Sequence, residues 1–168
     1  MSRSRARARS ATAVIRPARP ADSARIAAMA NRLNVMMGEP DGMFTTAVIR
    51  RDLFGKRPAV EGLVAESGGN VAGYALFHKG YDTDLAGANL ILADMFVEEA
   101  QRRRGIGRRL MAALARIAVK RGARSVSWGV LTRNRSARAF YRKLGATDEG
   151  ARVNDLYGRA LTRLSGRS

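Results

Sequence analysis

Between Gln101 and Leu110 the chain reads QRRRGIGRRL, five arginines set about two glycines where a helical pattern begins. A helix start leaves backbone N–H groups without acceptors, and these attract negative charge. Gly105 and Gly107 carry no Cβ to hold a phosphate away from the backbone. Arg102, Arg103, Arg104, Arg108 and Arg109 add forked donors matched to phosphate oxygens. The segment suits a loop that wraps a multiply charged anion; a plain basic turn in an arginine-rich chain is the competing reading. It is not a Walker A loop, which needs Lys followed by Ser or Thr, nor a G-x-G-x-x-G fingerprint, since position 110 is Leu. Asp94 interrupts the apolar run LILADMFVEE, where a carboxylate is costly unless paired or put to use. Asp82 and Asp84 sit in the polar stretch YDTDLAGAN, which reads as a loop able to meet a cation or simply face solvent. The lone His78 ends a strand pattern and reads as a rim residue, not a base.

These residues need elements to hold them. Val14 to Arg16 reads as a short strand closed by Pro17, and Ile26, Met29, Ala30 and Leu33 recur at helical spacing behind Asp22 or Ser23 as cap. Thr45 to Leu53 suggests a second helix. AVEGLVAES and VAGYALFHK, separated by GGN, predict a hairpin. LILADMFVEE predicts a strand buried on both faces. Leu110, Met111, Leu114, Ile117 and Ala118 then follow helical period up to Gly122. SVSWGVL predicts a strand, NRSARAFYRKLG a helix stopped by Gly145, and ARVNDLYGRAL one or two final strands. The order is that of an α/β fold with a mixed, mostly antiparallel sheet flanked by helices on both faces.

Two stretches resemble known motifs. Arg102, Gly105 and Gly107, behind the strand LADMFVEE, are similar to motif A of the GNAT superfamily of N-acetyltransferases. Twenty-nine residues past Gly105, Asn134, Ala137, Phe140, Tyr141, Leu144 and Gly145 are similar to its motif B. The polar loop and the strand after it look most like the diamine and polyamine branch, the spermidine/spermine and thialysine acetyltransferases. The resemblance implies a GNAT-like fold and transfer of the acetyl group of acetyl-CoA to the amine of a small molecule. It implies that the backbone of Met95, Phe96 and Val97 holds the pantetheine arm in a gap between splayed strands. The pyrophosphate would rest on the N–H groups of Arg103, Arg104, Gly105, Ile106, Gly107 and Arg108, with Arg102 opening the motif. Asn134 and Ala137 would meet the cofactor at the second helix start, although Asn is also a plain capping residue. Tyr141 would protonate the leaving thiolate, a task its phenol pKa of about 10 suits; core packing is its other reading. Members of this branch often carry a Glu just before the Asp of the strand, acting through water as base. Here that position is Ala93, which leaves Asp94 or solvent as proton acceptor. Asp82, Asp84 and Asp94 would hold the charged end of the amine. The branch also implies a homodimer, paired through edges near Asn154 to Tyr157.

Bulk properties frame this reading. The 168 residues suffice for one domain with a sizeable core, here expected over 13–164, with 1–12 as an Arg-rich tail and 165–168 as a flexible end. There is no cysteine and a single histidine, so thiolate chemistry is excluded and a zinc site has almost nothing to be built from. No apolar run approaches the roughly 18 residues of a membrane span, and residues 1–19 lack the apolar stretch of a secretory signal; a cytoplasmic enzyme is the expectation. The formal charge is +17. Residues 102–143 hold fourteen Arg or Lys and no acid, a field that favours anions. Nucleic acid is the rival partner to acetyl-CoA, but no base-stacking aromatic pattern supports it. Peptide N-termini, lysines and antibiotic amines remain alternative acceptors.

Overall fold

The computed structural model describes residues 12–150 and 154–166, and these fall into two compact units that divide after Trp128. In the first unit, strands β1 (Val14–Pro17), β2 (Glu61–Ser67), β3 (Asn70–Asp82), β4 (Gly87–Val97) and β5 (Ser125–Ser127) make one sheet in sequence order. The first four pair antiparallel, and β5 joins β4 parallel. Helices α1 (Ser23–Met37) and α2 (Thr46–Phe54) lie before β2, and α3 (Ile106–Lys120) links β4 to β5. No helix among the described residues is long and apolar enough to cross a membrane.

Strand alternation sorts the core into two layers. Ala75 and Phe77 of β3 and Leu90 and Leu92 of β4 pack with Ile106, Leu110, Ala113 and Leu114 of α3. Tyr74 and Leu76 of β3 and Phe96 of β4 pack with Ile26, Met29 and Ala30 of α1 and Ile49 and Leu53 of α2. The sheet thus carries helices on both faces, as expected.

Local chemistry explains the helix ends. Thr45 caps α2, its hydroxyl accepting from Val48 N–H at 3.1 Å. Asp22 precedes α1 without capping it; its carboxylate instead accepts from Arg19 N–H at 2.7 Å and from Arg16 at 2.8 and 3.0 Å. Arg16 pulls the Asp22 carboxyl below the usual carboxylate range, burial opposing it. Along its length α1 faces Glu98, which is buried and accepts from Arg25 and Arg32 at 2.6 Å each. Arg121 binds Glu61 bidentately at 2.6 and 2.7 Å, pinning the end of α3 to β2.

Three expectations need correction. The polar stretch 81–89 is mostly strand: β3 runs to Asp82 and β4 starts at Gly87, leaving a tight turn of four residues. Ladder bonding absorbs polar residues that composition alone would leave in a loop. The strand SVSWGVL shrinks to Ser125–Ser127. In the second unit, α4 (Arg135–Lys143) matches expectation, but Gly158–Leu164 forms a short helix, α5, where strand was expected. Residues 154–157 are not strand either, and 151–153 lie outside the described residues.

Candidate active site

The middle of β4 carries a break in register. Leu76 pairs with Asp94 and Phe77 with Leu92, so Ala93 is an extra residue, a β-bulge. One inserted residue reverses the phase of every side chain beyond it. Leu90 and Leu92 face α3 before the bulge; after it Met95 and Val97 do, and Phe96 turns to the α1/α2 face. Asp94 shares that second face with Leu76 and Tyr74, and Ala93 is left exposed. Composition gave no sign of this bulge.

Asp94 is not solitary. Tyr74, fully buried, donates its hydroxyl to Asp94 Oδ2 at 2.5 Å. Burial pushes the Asp94 carboxyl above its usual range, against the hydrogen bonds from Tyr74 and the Met95 backbone. Tyr74 is itself pushed far up, by burial first and by the neighbouring carboxylate second. Reading the sequence missed Tyr74, which looks like any aromatic in a strand; the only available signal was that a buried Asp needs a donor.

Beyond the bulge the sheet opens. β5 pairs with β4 only at Asn89, Leu90 and Ile91, so from Leu92 to Val97 the far edge of β4 has no strand partner among the described residues. Met95, Phe96 and Val97 therefore lie along an open edge, where alternate backbone groups can pair with an extended guest. Val97 carbonyl accepts from Arg102 Nε at 3.0 Å, and the same guanidinium lies 5.5 Å from the Phe96 ring centroid. Arg102 thus folds back along β4.

The glycine loop follows directly. Arg103 and Gly105 both take left-handed backbone, with φ of +60° and +78°, flanking Arg104. A left-handed conformation strains Arg103 and suits Gly105, which is the N-cap of α3. The helix's first bond runs from Arg109 N–H to Gly105 carbonyl at 3.0 Å, so Ile106, Gly107 and Arg108 have amides with no acceptor within the helix. Gly107 lies in that first turn without a left-handed φ, so only Gly105 needs glycine for its dihedrals. A Cβ placed on Gly105 would meet no atom within 4 Å, which marks open space before the helix start. The cradle fits a pyrophosphate, and Arg103, Arg104 and Arg108 are exposed around it.

The acidic residues do not form one cluster. Asp82 Oδ1 accepts from Asp84 N–H at 3.1 Å and Leu85 N–H at 3.0 Å, and Oδ2 from Ser125 hydroxyl at 2.8 Å. The Leu85 amide, then Ser125, holds its carboxyl below the usual range. Asp82 so locks the β3–β4 turn and ties it to β5. It pairs with Gly87, seven residues before Asp94 on β4, which at strand rise sets the two carboxylates about 20 Å apart. Asp84 is exposed on the turn. In the second unit Asn134 caps α4, its Oδ1 accepting from Ala137 N–H at 3.1 Å, and the Tyr141 ring packs against Phe140 with centroids 5.1 Å apart. His78 Nδ1 lies 3.1 Å from the carbonyl of Lys79.

Residues 26–146 match the sequence profile of the acetyltransferase (GNAT) family. The chain belongs to that family. It is 33% identical over 131 residues to the thialysine N-epsilon-acetyltransferase of Bos taurus, covering 71% of this chain and 76% of that protein. It is 41% identical over 76 residues to an L-ornithine N5-acetyltransferase of Arabidopsis thaliana, covering 45% of this chain and 33% of that protein. Its fold is shared with the aminoglycoside N-acetyltransferase AAC(6')-Iy in complex with CoA, at a TM-score of 0.68 and 19% identity over 87% of this chain and 99% of that one. The acetyltransferase takes its acyl group from acetyl-CoA, as its family does, and transfers it to nitrogen.

Proposed function

We propose that the enzyme acetylates a primary amine of a small diamine, polyamine or lysine-like molecule. Similarity to enzymes named for thialysine and ornithine, both amino acids with a side-chain amine, is the observation that carries this reading. Acetyl-CoA supplies the activated acyl group. The residues divide the work by position. Met95, Phe96 and Val97 offer backbone at the open edge of β4, and the amides of Arg103, Arg104, Gly105, Ile106, Gly107 and Arg108 hold the pyrophosphate. Arg102 braces that loop from β4. Asn134 and Ala137 form a second helix start for the cofactor.

Tyr141 Oη gives the proton to the departing sulfur, and Asp94 takes the proton that the attacking nitrogen loses. Burial raises the basicity of the Asp94 carboxylate, which moves it toward the range a proton acceptor needs. Tyr74 fixes its orientation. Ala93 offers no carboxylate of its own. Asp94 meets the reacting end of the amine, while Asp82 holds the β3–β4 turn on which Asp84 is exposed. In this reading 13–164 is one catalytic domain, and the enzyme works in the cytoplasm, where its small substrates are dissolved; residues 1–11 of the Arg-rich tail and 167–168 lie outside the described residues.

A homodimer completes the proposal. Leu156, Tyr157, Leu161 and Leu164 are exposed near the end of the chain, an apolar set that a second copy would cover. Light scattering at micromolar protein checks it; a single-chain mass would reject it. The acceptor is tested with an amine panel and acetyl-CoA, reading released thiol. Diamines and lysine analogues should turn over fastest, and a preference for peptide or anionic acceptors would overturn the small-amine reading.

A further inference from the structure

Strand β1 ends the sheet and pairs only with β2. Ala18 N–H donates to Gly62 carbonyl at 2.8 Å. Bonding residues alternate along an antiparallel ladder, so Arg16 and Val14 turn their backbone toward β2 and Ile15 presents its N–H and carbonyl outward. Beside this edge lies a groove of about 370 Å³, lined by Val14, Ile15, Arg109, Ala112 and Arg116. The last three recur at helical spacing on α3, so they form one stripe. Along the helix axis the two arginine Cα atoms are about 10 Å apart, with Ala112 between them. Neither arginine has an ion-pair partner among the described residues.

We propose that this groove docks an extended acidic peptide segment of a partner protein, added to β1 as a further strand with carboxylates on Arg109 and Arg116. The outward donor and acceptor of Ile15 match a peptide backbone, and the pair of unneutralised cations selects acidic side chains. Aliphatic lining without an aromatic surface gives bases nothing to stack on. Residues 1–11 hold four arginines, the wrong sign for this groove, and a second copy brings a chain of charge +17 against it. The groove is independent of how the amine acceptor is read.

Fluorescence anisotropy on the full chain tests it, with three labelled heptapeptides. One alternates Glu and Val, one replaces Glu by Lys, and one is the Glu peptide N-methylated at alternate backbone amides. The Glu peptide should bind and the Lys peptide should not. Arg116→Glu should weaken the Glu peptide about tenfold or more while acetyl-CoA affinity holds. N-methylation should weaken binding as strongly, since it removes strand pairing but no charge. Amide exchange at Ile15 should slow when the Glu peptide is bound. Equal binding of the N-methylated peptide would reduce the effect to general charge attraction and overturn the proposal. So would no binding at millimolar peptide, or self-association that Arg116→Glu abolishes.

Discussion

Gly105 concentrates two demands in one residue: a left-handed φ of +78° and open space before the amides of α3. Gly105→Asp strains that backbone and sets a negative charge where pyrophosphate is to bind, so acetyl-CoA affinity should fall at least about tenfold by calorimetry. Tyr141→Phe keeps the ring packed on Phe140 and removes only the hydroxyl. It should leave acetyl-CoA affinity nearly unchanged and lower turnover by roughly 10²-fold, measured where chemistry limits the rate. The Tyr74–Asp94 pair predicts a pH dependence. Because the folded Asp94 pKa lies above its unfolded value, its contribution is fully present below about pH 4 and is lost as pH rises through the folded value. Asp94→Asn keeps an acceptor for Tyr74 and cannot ionise, so relative to wild type it should gain stability between acid and neutral pH while losing turnover. Tyr74→Phe removes a buried donor to a carboxylate and should cost about 1–3 kcal/mol, more at neutral pH than in acid. Denaturant midpoints across pH read both variants.

Element packing rests on a few charged anchors as much as on apolar contact. Glu98 is buried and holds both Arg25 and Arg32 of α1, and Arg25 Nε also reaches the Val71 carbonyl at 3.1 Å. The two side chains are about half exposed, at 46% and 52%, so solvent weakens each pair. Glu98→Ala should still cost about 2 kcal/mol, since it strips two charge-assisted bonds and loosens α1 from the end of β4. A chemical-denaturation midpoint measures the loss. Acetyl-CoA affinity should fall with it, because Glu98 directly follows Val97 at the open edge of β4. The bulge at Ala93 is the other element-scale device. It lets one strand bury Leu92 against α3 and turn Asp94 to the opposite face.

At the scale of the whole molecule, charge is unevenly spread. The basic run 102–143 suits an anionic cofactor, whereas residues 1–11 add four further arginines. Among the described residues Ala13 is the first buried in the core, at 5% exposure. Deleting residues 1–11 should therefore leave acetyl-CoA affinity within about twofold and reduce non-specific polynucleotide binding, whose salt dependence should become shallower. Filter binding across a salt series measures this. Attraction beyond about 8–10 Å is screened at physiological salt, so the hold on the cofactor should rest on the cradle's own amides and arginines.

The sequence by itself determined the parts whose signal is local. Apolar period in Leu110 to Ala118 called for α3, GGN called for the β2–β3 hairpin, and Asn134 marked the start of α4. The glycine loop was legible because helix starts, small residues and arginines act together over a few positions. Only tertiary structure decided features that depend on what lies across the sheet. Tyr74 became the partner of Asp94 through the pairing of β3 with β4, and Ala93 became a bulge through a register that no single strand encodes. Asp82 and Asp94, given a shared substrate role by the family resemblance, were set about 20 Å apart by strand rise. The stretch ARVNDLYGRAL reads as strand on its own, yet Gly158–Leu164 became a helix, since strand propensity is expressed only where a neighbouring edge supplies hydrogen bonds.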